Sequence, residues 1–180
     1  KENKYKIYGF IDNKKKDFFN KYEIIGSDKD LVRIRKTVDN ALITVGQIKN
    51  LFLREKIFKK LLKLKFNLPV FVSPLAYVSN NASIGEGTII MHKALINTHV
   101  EIGTFSIINS KALIEHDVHI GSNCHISTGA IVNGGSSIGS NTFVGSNAVI
   151  GNNISVGKNC IIQAGAFLNR NLSDNEIYKI

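Results

Sequence analysis

The chain has 180 residues, of which 43% are hydrophobic, enough for one globular domain or for a small domain joined to a repetitive one. No segment reaches the roughly 18 to 20 uncharged apolar residues of a membrane span, and no leader is recognisable, so we expect a cytoplasmic protein. The formal net charge of +9 arises in residues 1–69, which hold 18 Lys and Arg against 8 Asp and Glu, whereas residues 70–180 hold 5 against 6. We interpret the basic excess as a solvated face; the alternatives are a site for a phosphorylated small molecule and nucleic-acid binding.

The N-terminal third alternates short extended and helical segments. The predicted order is a strand over residues 5–12, an extended segment over 22–26, a helix capped by Asp28 and running to about Lys36, a buried strand over 41–45 and a helical pattern over 47–66. This alternation predicts a small parallel α/β unit.

Ligands of parallel α/β sheets bind at the carboxyl ends of the strands. Asp12, Asn13 and Gly46 fall at such ends in this sequence and are therefore candidates for binding an acceptor substrate. The alternative is that these three residues only form turns.

A six-residue repeat begins at Val72. Every sixth residue is aliphatic over seventeen consecutive positions, the residue two before it is small in nearly every case, and Gly or Asn often follows it. A period of six fits neither an α-helix nor an alternating strand and is typical of a hexapeptide β-helix, in which three flat sides of six residues close one coil of 18. We expect five to six stacked coils, with the Gly and Asn residues that follow the aliphatic position taking the positive φ of the corners.

The two cysteines lie in this repeat. Cys124 and Cys160 are 36 residues apart, which places them in one inward column, two coils from each other. Coils about 4.8 Å apart put their Cα atoms beyond the roughly 7 Å that a disulfide allows. We therefore predict two small, unbridged core residues rather than a disulfide or a catalytic thiol.

His116 is the candidate for proton transfer. It lies at a predicted corner of the rod between Glu115 and Asp117, and flanking carboxylates can hold an imidazole in one tautomer and raise its basicity. Eighteen residues later, in the same corner column, comes Gly134. A missing side chain there leaves room for a thioester and exposes backbone N–H groups to a developing oxyanion. The alternative is that His116 is a solvated surface histidine.

The stretch from Phe71 to about Leu168 resembles the hexapeptide-repeat sugar acyltransferases that include the sialic acid O-acetyltransferases and the bacillosamine-type nucleotide-sugar N-acetyltransferases. The resemblance is carried by the segment from Ile107 to Gly121, which reads IINSKALIEHDVHIG, and by CHISTGA from Cys124. It implies a mainly β fold, a left-handed parallel β-helix behind a small Rossmann-like α/β domain, with boundaries at residues 1–68 and 69–180.

The resemblance also implies roles for single residues. His116 is the implied proton acceptor and Asp117 increases its basicity, while His125, Ser146 and Ala164 fall where that family contacts acetyl-CoA. Ser146 and Ala164 share one column with Thr128, so small side chains line a groove along the rod.

The implied reaction is the acetyl-CoA-dependent N-acetylation of an amino sugar linked to a nucleotide, such as a UDP-4-amino-4,6-dideoxy sugar, for a bacterial surface glycan. Asp12, Asn13 and Gly46 resemble the strand ends that hold the nucleotide sugar, and we add Asn109, in the same motif as His116, to the acceptor site. A homotrimer with each active site between two rods is implied, with no metal, nucleic acid or membrane partner. Two parts of the family pattern, a first strand with a Gly-rich turn and a Gly-x-Pro-Ala signature, are expected before Lys1 and after Ile180.

Three other functions are considered. O-acetylation of a sialic-acid-like sugar is the alternative within the class. A metalloenzyme resembling the gamma-class carbonic anhydrases needs a histidine about two coils before a closely spaced pair, and no two of the five histidines are 36 residues apart. A non-catalytic β-helix would be distinguished by its failure to bind acetyl-CoA.

Overall fold

The computed structural model of the chain describes residues 5–14, 17–46 and 51–180, and for Leu51 and Phe52 the backbone only. From residue 71 onward the chain forms a parallel β-helix in which strands pair with the strand 18 residues later. The last pair of the first face, Ile161–Ile162 with Ile177–Tyr178, is 16 residues apart instead. The first face contains Phe71–Val72, Ile89–Ile90, Ile107–Ile108, His125–Ile126, Phe143–Val144, Ile161–Ile162 and Ile177–Tyr178. The second face contains Tyr77–Val78, Leu95–Ile96, Leu113–Ile114, Ile131–Val132, Val149–Ile150 and Phe167–Leu168. The third face contains Ser83–Ile84, Glu101–Ile102, His119–Ile120, Ser137–Ile138 and Ser155–Val156.

The repeat predicted from the sequence is therefore confirmed. The second residue of each central strand is buried inside the rod, as are the small residues two positions earlier, and together they form one continuous core. Cys124 and Cys160 are both free and buried in this core, and burial raises the pKa of the Cys124 thiol to about 12. The winding sense of the rod stays a prediction from the resemblance.

The prediction about the corners is wrong in its position. The left-handed residue is the third after the aliphatic one, as at Asp117, Asn123 and Asn141, all with φ near +60°. The glycines directly after the aliphatic residue have another reason to lack a side chain, because the next coil passes very close. A Cβ added at Gly121 would lie 2.7 Å from the backbone nitrogen of Ser140.

The three faces differ in the side chains that they present to solvent. On the third face these side chains are polar: Ser83, Glu101, His119, Ser137 and Ser155. On the first and second faces they are almost all apolar, and several large ones are exposed, including Tyr77, Leu95, Ile161 and Phe167. Two adjacent faces of the rod thus carry long apolar stripes, which is typical of protein–protein contact surfaces.

The N-terminal part forms a small sheet and two helices. Its strands are Phe10–Ile11, Phe18–Phe19 and Tyr22–Gly26, and the last is central, parallel to the first and antiparallel to the second. The helices are Leu31–Ile34, after a 3-10 turn Asp28–Asp30, and Leu51–Lys63. The sheet is mixed rather than wholly parallel, and the Rossmann-like arrangement and the domain boundary stay predictions.

Several predicted boundaries in this part need correction. Of the strand predicted over 5–12, the structure forms the strand Phe10–Ile11, which pairs with Tyr22–Gly26. The helix cap is Ser27 rather than Asp28, since the Ser27 side chain accepts from the Lys29 N–H and Asp30 completes a capping box, and the α-helix stops at Ile34 instead of Lys36. The helical pattern over 47–66 is observed as Leu51–Lys63; residues 47–50 lie outside the described residues.

The buried strand predicted over residues 41–45 is also wrong. The carbonyls of Ile43 and Val45 are taken by the Arg54 guanidinium, at 2.9 and 2.8 Å, and not by a neighbouring strand. Arg54 is almost fully buried, stacks 4.2 Å from the ring centroid of Phe105, and burial lowers its pKa to about 10. Phe105 is a corner residue of the rod and also stacks on Phe58, so it fixes the rod to the N-terminal part.

Candidate active site

The corner between the second and third faces carries His116 and Asp117, and we call it the histidine corner. Nδ1 of His116 lies 2.8 Å from Oδ2 of Asp117. This hydrogen bond is the main cause that lowers the pKa of Asp117, with a smaller contribution from His99. The ionised carboxylate can only accept, so Nδ1 of His116 carries the proton and Nε2 keeps its lone pair.

Gly134 lies directly above the His116 ring, as its place one coil later predicts. A Cβ added at Gly134 would be 2.7 Å from Cε1 and 2.8 Å from Nε2 of His116, so no side chain fits beside the imidazole in its present position. The Gly134 N–H donates no hydrogen bond within the described part of the chain. A free base nitrogen and a free backbone donor therefore lie close together at this corner, which suits attack on a carbonyl group.

The position of Asp117 depends on the local backbone. Asp117 has a φ of +57°, which short polar side chains such as Asp and Asn tolerate better than others, and its N–H donates to the Thr98 carbonyl one coil earlier. The His116 carbonyl accepts from the Gly135 N–H one coil later. The coil-to-coil hydrogen bonds thus hold the backbone of this pair from both sides.

His125 and Asn109 form a second group, on the first face. Asn109 Nδ2 lies 3.2 Å from Nε2 of His125, and Asn109 Oδ1 accepts from the Ser110 N–H, which fixes the amide so that its nitrogen donates to the ring. His125 is only 5% exposed and packs edge-on against Phe143, with ring centroids 5.3 Å apart. The role of His125 in binding acetyl-CoA stays a prediction, and so does the role of Asn109 in binding the acceptor.

Ser146 and Ala164 lie at the corner between the first and second faces, which we call the small-residue corner together with Thr128. Ser146 Oγ lies 2.9 Å from Oγ of Ser127, and Thr128 and Ala164 are exposed. The predicted groove is therefore at a different corner of the rod from His116 and Gly134. Within one chain the predicted base and the predicted cofactor groove do not meet at one corner.

The predicted acceptor residues are placed as follows. Asp12 and Asn13 follow the first strand, and Asn13 forms two hydrogen bonds with Asp28, from Nδ2 to its carboxylate at 2.9 Å and from the Asp28 N–H to Oδ1 at 3.0 Å. The two strand ends that meet here are those of Phe10–Ile11 and Tyr22–Gly26. The prediction that Gly46 also lies at a strand end is wrong, because residues 41–45 form no strand. Gly46 is exposed, and a Cβ added to it would meet no atom within 4 Å.

The sequence reasoning missed one residue of the histidine corner. Nδ1 of His99 lies 3.3 Å from Oδ1 of Asp117, the carboxylate oxygen that does not contact His116. His99 is 18 residues before Asp117, so the coil repeat could have identified it. Within the described residues, no group of three or more His, Cys, Asp or Glu side chains is arranged to hold a metal ion, and no helix there is long and apolar enough to span a membrane.

The chain was compared with protein-family models and with solved structures, and both comparisons found similar proteins. Residues 135–170 match the family model described as bacterial transferase hexapeptide (six repeats). The chain is similar to the acetyltransferase domain of PglB from Neisseria gonorrhoeae FA1090, at 28% identity over 94% of this chain and 82% of that chain, with a TM-score of 0.86, and that domain has also been solved with acetyl coenzyme A. The comparison with curated proteins gave no match.

Two further solved structures are similar over the same extent. One is a histidine-to-asparagine variant of perosamine N-acetyltransferase from Caulobacter crescentus in complex with CoA and GDP-perosamine, at 27% identity over 94% of this chain and 80% of that chain, with a TM-score of 0.89. The other is WeeI from Acinetobacter baumannii AYE, at 25% identity over 94% and 81% of the two chains, with a TM-score of 0.83.

The six-residue repeat and the fold are similar to those of hexapeptide-repeat transferases. Over nearly its whole length the chain is similar to the acetyltransferase domain of PglB and to a perosamine N-acetyltransferase solved with CoA and GDP-perosamine, which confirms the resemblance inferred from the sequence. The predicted enzyme class, an acetyltransferase, is confirmed by the same comparisons.

Proposed function

We propose that the chain transfers an acetyl group from acetyl-CoA to the amine of a sugar that is linked to a nucleotide. The observation that carries this proposal is the His116 imidazole, held by Asp117 with its Nε2 free beside Gly134. The similarity to a perosamine N-acetyltransferase solved with CoA and GDP-perosamine supports both the donor and the acceptor class.

The proposed chemistry needs one group that first accepts and then donates a proton. The neutral amine attacks the thioester carbonyl, and Nε2 of His116 takes a proton from the nitrogen as the new C–N bond forms. The Gly134 N–H is placed to stabilise the oxyanion of the tetrahedral intermediate. When the C–S bond breaks, the proton on His116 passes to the leaving sulfur, so CoA leaves as a thiol and the imidazole is neutral again.

We propose that a complete active site needs two copies of the chain, in a homotrimer. Two observations support this: the apolar stripes on the first and second faces, and the separation of the histidine corner from the small-residue corner that holds Ser146 and Ala164. The histidine corner of one copy would then face the groove of its neighbour. The apolar stripes would be buried between the copies, as in other closed assemblies.

A complementation experiment tests the shared site. His116→Ala and Ala164→Trp are each expected to be nearly inactive alone, the second because Ala164 is exposed in the predicted groove. Co-expressed as differently tagged chains and purified as mixed trimers, they should recover up to about a third of the parent turnover, since a closed ring of three that contains both variants has one intact corner pair among its three. Mixed oligomers as inactive as the single variants would place the whole site within one chain.

The N-terminal part supports a nucleotide-linked acceptor. It holds the basic excess of the chain and the strand ends at Asp12 and Asn13, which suit a nucleotide diphosphate. Binding energy from the remote nucleotide would position the amine against the thioester. We place this activity in the cytoplasm, in the synthesis of a surface glycan.

The acceptor class is tested by comparing turnover on UDP-, dTDP- and GDP-linked 4-amino sugars with turnover on free amino sugars and free sialic acid. A nucleotide-linked amine should be preferred in kcat/KM by about a hundredfold or more, because a truncated acceptor loses positioning as well as affinity. The full-length protein should be used. Preferred turnover of free sialic acid would overturn the proposal and favour the O-acetyltransferase alternative.

A further inference from the structure

We propose that His99 is a positioning residue for the general base, which acts by holding Asp117 from the side opposite to His116. This inference rests on the proposed function, since it assigns His99 a part in the same proton transfer. It concerns a residue that contacts neither the Gly134 backbone nor the His116 ring in any interaction of the described residues.

The geometry follows from the coil repeat. His99 and Asp117 occupy equivalent corner positions one coil apart, with φ of +56° and +57°. The Asp117 N–H donates to the Thr98 carbonyl at 3.1 Å, which fixes the register between the two coils. Nδ1 of His99 lies 3.3 Å from Oδ1 of Asp117, and Nδ1 of His116 lies 2.8 Å from Oδ2. Each carboxylate oxygen therefore has its own imidazole partner.

Two partners restrict the carboxylate more than one partner does. With His116 alone, the exposed Asp117 side chain can rotate and exchange its two oxygens, and the ring can follow it. With His99 on Oδ1, the plane of the carboxylate is held so that Oδ2 stays directed at Nδ1 of His116. The free Nε2 of His116 is then held toward Gly134, where the reacting amine must lie.

The other charged groups around His99 already have partners. Glu101 contacts Nδ1 of His119 at 3.2 Å, and Glu115 accepts from Asn97 at 2.9 Å. His99 therefore faces Asp117 as its carboxylate partner and shares it with His116.

The test compares His99→Ala with His99→Asn. Asn suits the left-handed corner, where Asn141, Asn147 and Asn153 occupy equivalent positions, and it keeps a hydrogen-bond donor but cannot take up charge. His99→Ala should lower kcat about tenfold with KM for both substrates nearly unchanged, as expected for loss of an outer partner of a reacting group. His99→Asn should regain most of this kcat.

His119→Asn is the matched control. His119 is an exposed histidine paired with a carboxylate one coil away, as His99 is, but on the third face and away from His116. It should leave kcat unchanged, because its carboxylate partner is Glu101 rather than Asp117. In an Asp117→Asn background, His99→Ala should not lower kcat any further, because His99 acts through Asp117.

A second readout does not depend on turnover. Carbon-13 NMR of the Asp117 carboxyl should give a higher pKa in His99→Ala than in the parent, because hydrogen bonding and charge from His99 contribute to lowering it. An unchanged Asp117 titration, or a full additional loss of kcat in the Asp117→Asn background, would overturn the positioning role. If the parent acetylates no acceptor, the proposed function fails, while the titration still decides whether His99 holds Asp117.

Discussion

His116→Ala should lower the rate of acetyl transfer by about a hundredfold to ten-thousandfold, the usual cost of losing a general base. The side chain is 56% exposed, and its hydrogen bond to Asp117 at 2.8 Å is at the surface. Its loss should therefore change the free energy of unfolding by no more than about 0.5 kcal/mol. The affinity for acetyl-CoA should stay close to that of the parent, since the imidazole is needed for proton transfer rather than for holding the donor.

The measurement is steady-state transfer to the best acceptor of the nucleotide-sugar panel, with thermal unfolding and calorimetric titration of acetyl-CoA on the same preparations. His119→Ala is the matched control, because it removes another exposed imidazole that has a carboxylate partner, Glu101 in the preceding coil. It should retain nearly full turnover. A His116→Ala variant as fast as this control would remove His116 from the mechanism.

The sequence predicted the rod well because its determinants are local and repeated. Each hexad places one aliphatic and one small residue inside, and seventeen repeats in register leave no other periodicity. What the hexad did not predict was the reason for each glycine. Gly121 is needed because the next coil approaches its α-carbon, whereas Gly135 is needed for its φ of +70°, and both appear simply as Gly in the sequence.

The N-terminal part was predicted less well because its backbone groups are satisfied by distant side chains. Residues 41–45 have the apolar composition of a strand, but the carbonyls of Ile43 and Val45 bond to Arg54 on the following helix. A buried arginine stacked on Phe105, more than 50 positions further on, leaves no local pattern in the sequence. Tertiary contacts of this kind override local preference.

The candidate site was predictable to the extent that it follows the 18-residue coil. That spacing placed Gly134 above His116, and the same spacing applied backward from Asp117 leads to His99. It could not place His116 relative to Ser146 and Ala164 in a reacting complex, because these residues lie at two corners of one rod. In the trimer that we propose, the packing of the copies would decide which corners face each other, and the exposed apolar faces rather than the repeat would direct that packing.

Gly134→Ala should lower kcat by about a hundredfold, because the added Cβ would lie 2.7 to 2.8 Å from ring atoms of His116 and the ring must move away. A displacement of the base by about 1 Å is enough for a loss of this size. Gly134→Leu should in addition weaken acetyl-CoA binding, since its side chain fills the space above the base where the thioester must enter. Calorimetry on the folded Leu variant checks this, and unchanged affinity would show that the acetyl end binds elsewhere.

The control for Gly134→Ala is Gly151→Ala, at which an added Cβ first meets the Leu168 carbonyl at 3.2 Å and needs only a small shift.

Combining Gly134→Ala with His116→Ala separates the two reasons for the glycine. If Gly134 serves only to accommodate the imidazole, the double variant should transfer acetyl groups as fast as His116→Ala alone, because the ring that would clash is gone. If the Gly134 N–H also donates a hydrogen bond to the oxyanion, the double variant should be slower than His116→Ala by a further factor of about ten. The added methyl group would partly shield this N–H, and removal of such a donor altogether costs about a hundredfold or more. Gly134→Ala turnover equal to that of Gly151→Ala would show that the close approach of His116 and Gly134 has no part in the reaction.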